Sequence, residues 1–183
     1  KQISPVELTE AVLKRVEGVQ AELNAFITIS GDVARAEAKV REQAVMSGGV
    51  LGPLHGIPFT VKDLVNTAGV KTTFGSFAFA DNIPELDSIG VARLRAAGAI
   101  LIGKTTTPEF GHKPMTDAPL FGRTLNPWDL SRTSGGSSGG AGVAAAMGLG
   151  PLHIATDGGG STRIPAAACG VVGMKQTLGR VPH

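Results

Sequence analysis

Three short segments place reactive polar side chains among small or apolar neighbours. Lys62 ends a β-like run, Ile57-Pro58-Phe59-Thr60-Val61, with Asp63 beside it. Residues 135–140 read G-G-S-S-G-G and present two adjacent hydroxyls, Ser137 and Ser138. Residues 157–163 read D-G-G-G-S-T-R. The glycines of this last segment let the chain turn sharply and aim successive N–H groups at one point. Four amides, from Gly158 through Gly159 and Gly160 to Ser161, can thus converge on a single oxygen. If that oxygen belongs to a carbonyl becoming tetrahedral, the turn is an oxyanion hole with Ser161 as the nucleophile beside it. Asp157 and Arg163 flank the turn and can brace it as an ion pair. A phosphate-binding turn or a plain tight turn fits the same residues. A Walker A loop does not, because it needs a lysine directly before its hydroxyl residue and Gly160 stands there.

The second segment also satisfies G-x-S-x-G, the nucleophile-elbow pattern. An elbow requires a buried strand just before it and a histidine downstream. Here Leu130-Ser131-Arg132-Thr133-Ser134 precedes it and reads as loop. Of the downstream histidines, His153 falls inside a strand candidate and His183 is the last residue. The elbow is therefore rejected, and a serine nucleophile needs another base. Lys62 is the candidate. A lysine near its ordinary pKa of roughly 10.4 is already protonated at neutral pH, but desolvation disfavours the charged form. Ile57, Phe59 and Val61 are the expected source of that apolar surround. A surface lysine paired with Asp63 is the competing reading. Cys169, in an Ala-rich stretch, reads as a small buried residue and not as a nucleophile.

The elements that must carry these groups read as α/β. Ser4-Pro5-Val6-Glu7 forms a capping box with proline at the first helical position, and Leu8, Val12, Val16 and Val19 continue at helical spacing to about residue 20. A short strand is predicted at 25–29 and a solvent-facing helix at 32–46, stopped by Gly48-Gly49. Further helices are predicted at 87–97, 141–147 and from 164. Strands are predicted at 57–61, 99–102, 152–155 and 171–174. That alternation is the texture of a mostly parallel mixed sheet flanked by helices. Residues 111–133 show no sustained period and read as a long loop, a length usually functional or disordered.

Composition narrows the partners. The chain has 183 residues, one domain's worth, at 42% hydrophobic and 17% charged, so it is globular. Aromatics are 4% with no tyrosine, against a base-stacking nucleic-acid binder, and a net charge of +2 is too small for a phosphate-tracking surface. No apolar run approaches the ~20 residues of a membrane helix. One cysteine excludes an intrachain disulfide framework and fits a reducing compartment such as the cytoplasm.

Taken together, the segments resemble the amidase signature family. The resemblance rests on G-P-L-H-G-I-P-F-T-V-K-D (52–63), G-A-I-L-I-G-K-T (98–105), G-R-T-L-N-P-W-D (122–129), G-G-S-S-G-G (135–140), T-D-G-G-G-S-T-R-I-P-A (156–166) and C-G-V-V-G-M-K (169–175). It implies a Ser–Ser–Lys hydrolase of carboxylic amides with no metal and no organic cofactor. Ser161 would form an acyl-enzyme. Ser137, held by a cis Gly136–Ser137 peptide, would relay a proton between Ser161 and neutral Lys62, and later to the leaving amine. The amides of Gly158, Gly159, Gly160 and Ser161 would form the oxyanion hole, with Ser138, Asp157 and Arg163 in support. A small-molecule amide is the implied substrate, and a homo-oligomer is compatible with the resemblance. Gln176 and Ser134 stand where family members usually carry proline, away from these positions. Members are more than twice as long, so residues 1–183 are expected to be the N-terminal portion of the family domain, weak or inactive alone.

A second implied reading is the A subunit of a glutamyl-tRNA amidotransferase, which shares the serines and lysine and works with tRNA and further protein partners. Those subunits resemble one another in a Ser-Thr-Glu-Asn run, where this chain has E-F-G-H-K-P-M-T-D-A-P-L-F-G (109–122). The free-standing amidase is therefore preferred. A noncatalytic glycine-loop binding module, the third reading, accounts for Gly158–Gly160 but not for Lys62 and Ser137.

Overall fold

A computed structural model describes residues 2–181. His183, considered above as a downstream histidine, lies outside the described residues. The first helix, α1, runs Pro5–Leu23 and is capped as its sequence predicts: Ser4 Oγ accepts from the Glu7 N–H at 3.1 Å and the Glu7 carboxylate accepts from the Ser4 N–H at 2.8 Å. Strand β1 (Phe26–Ile29), helix α2 (Gly31–Met46), strand β2 (Pro58–Lys62), helix α3 (Ile89–Ala96) and strand β3 (Ile100–Thr105) follow. Then come the short β4 (Asp117–Ala118) and β5 (Gly122–Arg123), helix α4 (Gly139–Ala146), strand β6 (Leu152–Ile154) and helix α5 (Arg163–Cys169).

The main sheet has the order β1-β3-β2-β6. β2 is parallel to both β3 and β6, and β1 is antiparallel to β3, so the sheet is mixed and mostly parallel. Alternating side chains of the strands feed two cores. Ile100 and Ile102 join Val12, Leu13 and Val16 of α1 and Val143 and Ala144 of α4 on one face. Phe59, Val61 and Leu101 join Val91 of α3 on the other. Gly103 permits the close, irregular pairing of β1 with β3, since a Cβ there would lie 2.3 Å from the Thr28 carbonyl oxygen.

Three expectations change. α4 begins two residues before the predicted start, on Gly139-Gly140. Helix propensity disfavours glycine by about 1 kcal/mol, but packing overrides it. A Cβ on Gly140 would lie 2.4 Å from the Ala25 oxygen and 2.5 Å from the Thr106 nitrogen. The strand predicted at 171–174 is absent: Val172 is 97% and Met174 86% exposed, and the segment pairs with no strand among the described residues. The loop 111–133 is not featureless, because β4 and β5 form a small hairpin and Leu125 bridges Thr133.

Candidate active site

Lys62 is the last residue of β2, on the face that α4 covers. Its side chain is fully buried, and Nζ donates to Ser137 Oγ at 2.6 Å and to Thr156 Oγ1 at 2.9 Å. Burial pushes its pKa down from 10.5 to about 7, against the weaker opposing pull of Asp157. At that value roughly half the molecules carry a free amine at pH 7, against about one in three thousand at the ordinary pKa. The groups around the amine differ from those expected. Phe59 and Val61 point to the opposite face, as strand alternation demands, and the amine sits against the loop before α4 and the turn after β6. Nor is Lys62 a surface partner of Asp63, whose carboxylate lies behind the sheet and accepts from the Thr73 N–H and hydroxyl.

Ser137 is 1% exposed and follows a cis Gly136–Ser137 peptide. The peptide has no Cβ at 136 because the backbone of Met115 passes within 2.7 Å of where one would be. Ser138 N–H donates to the Ser161 carbonyl at 3.2 Å, which ties the two serine segments together. Ser138 Oγ donates to the Thr156 carbonyl at 3.2 Å. Ser161 is half-buried at the turn between β6 and α5. Its hydroxyl makes no hydrogen bond to Ser137 among the described residues.

Asp157 organises that turn from within. Its Oδ1 accepts from the Gly160 N–H at 2.7 Å and from Arg163 Nη2 at 2.9 Å. Its Oδ2 accepts from the Thr162 N–H at 3.1 Å and Arg163 Nε at 2.9 Å. The Arg163 guanidinium and these amides hold the Asp157 carboxyl well below the usual carboxylate range. The ion pair anticipated between Asp157 and Arg163 is therefore present. The Gly160 amide is committed to Asp157, which leaves Gly158, Gly159 and Ser161 to point their amides elsewhere. Gly158 and Gly159 are exposed.

Two groups at the site were missed by the sequence reading. Thr156 takes one Lys62 hydrogen bond; its position one residue before Asp157 was the available signal. Gly111, with φ +68°, packs so that a Cβ would stand 3.1 Å from Ser137 Oγ. In the loop between β3 and β4, His112 and Met115 are exposed. Phe121 lines a separate cavity of about 380 Å³ with Asn24, Phe26 and Lys71. A cavity of about 560 Å³ lies at the far end of β2, around Ile57 and the start of α1. His153 is structural: Nδ1 pairs with the Thr60 hydroxyl at 2.8 Å and Nε2 with the Gly150 oxygen at 2.9 Å, and burial pushes its pKa down to about 4. Cys169 is fully buried, and desolvation raises its thiol pKa to about 11.

Among the described residues no cluster of His, Cys, Asp or Glu is placed to hold a metal ion, and no helix is long and apolar enough to cross a membrane. The chain is 48% identical over 181 residues to an acylamidase of Rhodococcus erythropolis, covering 99% of this chain and 38% of that protein. It is 46% identical to the A subunit of the glutamyl-tRNA(Gln) amidotransferase of Roseiflexus sp. (strain RS-1), covering 98% of this chain and 37% of that protein. Among solved structures it superposes on the peptide amidase PAM, bound to the competitive inhibitor chymostatin, with TM-score 0.88 at 37% identity, over 94% of this chain and 37% of that one. A bacterial aryl acylamidase of the amidase signature enzymes gives TM-score 0.87 at 38% identity, over 91% of this chain and 35% of that one. The amidase family model matches residues 7–183. With its mixed sheet, its glycine turns and these relatives, the chain belongs to the amidase signature family.

Proposed function

We propose that the protein hydrolyses carboxylic amides through an acyl-enzyme on Ser161, with residues 1–183 supplying the catalytic portion of the domain. Neutral Lys62 is the base and Ser137 the relay. The Ser161 proton passes to Ser137 Oγ as the Ser137 proton passes to Lys62 Nζ. Ser161 Oγ then bonds the carbonyl carbon, and the oxygen gains negative charge under the amides of Gly158, Gly159 and Ser161, the expected Gly160 amide being held by Asp157 instead. The turn comprises Gly158, Gly159, Gly160 and Ser161, with Asp157 and Arg163 fixing its shape and Ser138 tying it to Ser137. When the C–N bond breaks, the leaving amine takes a proton from Ser137, which is resupplied by the Lys62 ammonium. Water repeats the sequence on the ester and releases the acid. The hand-off between the two serine hydroxyls belongs to the substrate-bound state, where catalytic hydrogen bonds tighten.

The observation that carries this reading is the buried 2.6 Å contact of Lys62 Nζ with Ser137 Oγ, backed by a pKa of about 7. A small-molecule amide is the substrate class, in keeping with the acylamidase relative. A reducing, cytoplasmic setting fits the buried thiol of Cys169. The amidotransferase reading has support from the 46% identity to the Roseiflexus protein. In that case glutamine is the amide, and ammonia release rises when tRNA and the partner proteins are added. The test is turnover of an acylamide by the intact protein and by Ser161→Ala, Ser137→Ala and Lys62→Ala. All three variants are expected to lose at least about a thousandfold in kcat. Retention of wild-type kcat by any one removes it from the mechanism, and retention by all three removes the reading.

A further inference from the structure

We propose that Thr116, from the segment between β3 and β4, is a positioning residue that sets the Ser137 hydroxyl against Lys62. The inference rests on the relay role given to Ser137 above. Thr116 is 2% exposed. Its hydroxyl donates to the Gly135 carbonyl at 2.9 Å and accepts from the Gly139 N–H at 2.9 Å. Gly135 and Gly139 bracket the segment Gly136-Ser137-Ser138. One hydroxyl therefore joins both ends of a pentapeptide whose middle residue is Ser137.

The staple is tight and has little local substitute. A Cβ on Gly139 would lie 2.4 Å from Thr116 Oγ1, and one on Gly136 would lie 2.7 Å from the Met115 nitrogen and carbonyl carbon. Gly139 N–H opens α4, where the first amides have no partner inside the helix, and Thr116 is the group that satisfies it. The Gly135 carbonyl has a second, longer bond from Ser134 Oγ at 3.4 Å. Thr116 is itself anchored, since its carbonyl accepts from the Thr124 N–H at 2.9 Å next to β5. Loss of the hydroxyl frees a buried amide and lets the Ser137 segment shift against Lys62. A misplacement near 1 Å costs about a hundredfold in rate.

The test compares Thr116→Val, which keeps the shape and deletes the hydroxyl, with Thr116→Ser, which keeps the hydroxyl and deletes a methyl. Both are measured in the intact protein on an acylamide, beside Ser134→Ala and Ser137→Ala. Thr116→Val is expected to lose about 10- to 100-fold in kcat with KM within threefold, and Thr116→Ser to stay within threefold of wild type. Ser134→Ala removes an equally buried hydroxyl but not the Gly139 bond, and should also stay within threefold. If Thr116→Val is recovered unfolded, Thr116→Cys carries the test. Its longer, weaker hydrogen bonds should lower kcat at least fivefold at unchanged KM. Equal losses in the Val and Ser variants mean that packing of the methyl matters, and overturn the proposal. Wild-type kcat in Thr116→Val, or in Thr116→Cys where that variant carries the test, does the same, provided Ser137→Ala is inactive. If Ser137→Ala itself retains kcat, the relay reading fails, and this proposal fails with it.

Discussion

Thr156→Val removes a hydroxyl that only Lys62 uses at the site, and its effect follows from the hydrogen bonds. Lys62 Nζ donates to Thr156 Oγ1 at 2.9 Å. The structural bonds of Thr156 run through its carbonyl instead, which accepts from Ser138 Oγ and Thr162 Oγ1, each at 3.2 Å. Valine keeps the carbonyl and the shape. A hydrogen bond from an ammonium contributes about 1–1.5 kcal/mol more than one from a neutral amine. Losing the acceptor therefore lowers the Lys62 pKa by roughly one unit. In the proposed mechanism the free amine is the active form, so activity is expected to rise with pH through that pKa. The wild-type acid limb is expected near the site's value of about 7, and the variant's roughly one unit lower. A base weaker by one unit also lowers the plateau, by about threefold at a Brønsted slope near one-half. The two profiles must cross. The variant should be roughly twice as active as wild type a unit below the wild-type limb, and about threefold less active on the alkaline plateau. The assay is kcat/KM of the intact protein on an acylamide from pH 5 to 9, with Thr156→Ser expected to restore the wild-type limb. An unmoved limb, or one displaced upward, refutes the assignment of that limb to Lys62.

Three further outcomes follow from packing and charge. Asp157→Asn withdraws the carboxylate that anchors Gly160, Thr162 and Arg163 and that raises the Lys62 pKa. It should cost about 2–3 kcal/mol in a denaturation experiment and shift the acid limb down. Gly140→Ala forces a Cβ into the Ala25 and Thr106 backbone and should abolish soluble folded protein, whereas Gly18→Ala, in open space on α1, should stabilise by about 0.5–1 kcal/mol. Lys104 is fully buried behind the sheet and donates to Val65 O, Thr67 Oγ1 and Thr72 Oγ1; burial lowers its pKa to about 8 while Asp63 pulls it back up. Lys104→Met leaves the Asp63 carboxylate, whose Oδ1 is already unpartnered among the described residues, without that ammonium. It should cost about 3 kcal/mol, part of which Asp63→Asn added to it should recover.

Local rules made much of the frame readable. The Ser4–Glu7 capping box, the glycine stops and the alternation of helix with strand set α1 to β3 within a few residues. Asp157 with Arg163 could be paired by their places on either side of a glycine turn. What the chain did not disclose depends on contacts between residues far apart in sequence. Phe59 and Val61 were the natural apolar neighbours of Lys62 along the chain, yet a strand turns them to the other face. The burial of the amine comes from segments 75 and 94 residues away. Thr116 and Gly111 lie in a stretch without period, and only its return across Gly136 and Ser137 gives them meaning. Gly139-Gly140 reads as helix-breaking until the neighbouring backbone that excludes a side chain is in view. Residues 171–174 have a strand's composition, but strands need pairing, and this segment pairs with none among the described residues.

The proposed mechanism makes Ser161 a nucleophile activated through Ser137 by an uncharged Lys62. Its most direct test is labelling of the intact protein with a serine-directed fluorophosphonate, with the adduct mapped by peptide mass spectrometry and its rate followed against pH. Expected are a single adduct on Ser161, none in Ser161→Ala, labelling slowed at least about a hundredfold in Lys62→Ala, and a rate that climbs with pH through about 7. An adduct on Ser137, or labelling of Lys62→Ala at the wild-type rate, would contradict that mechanism.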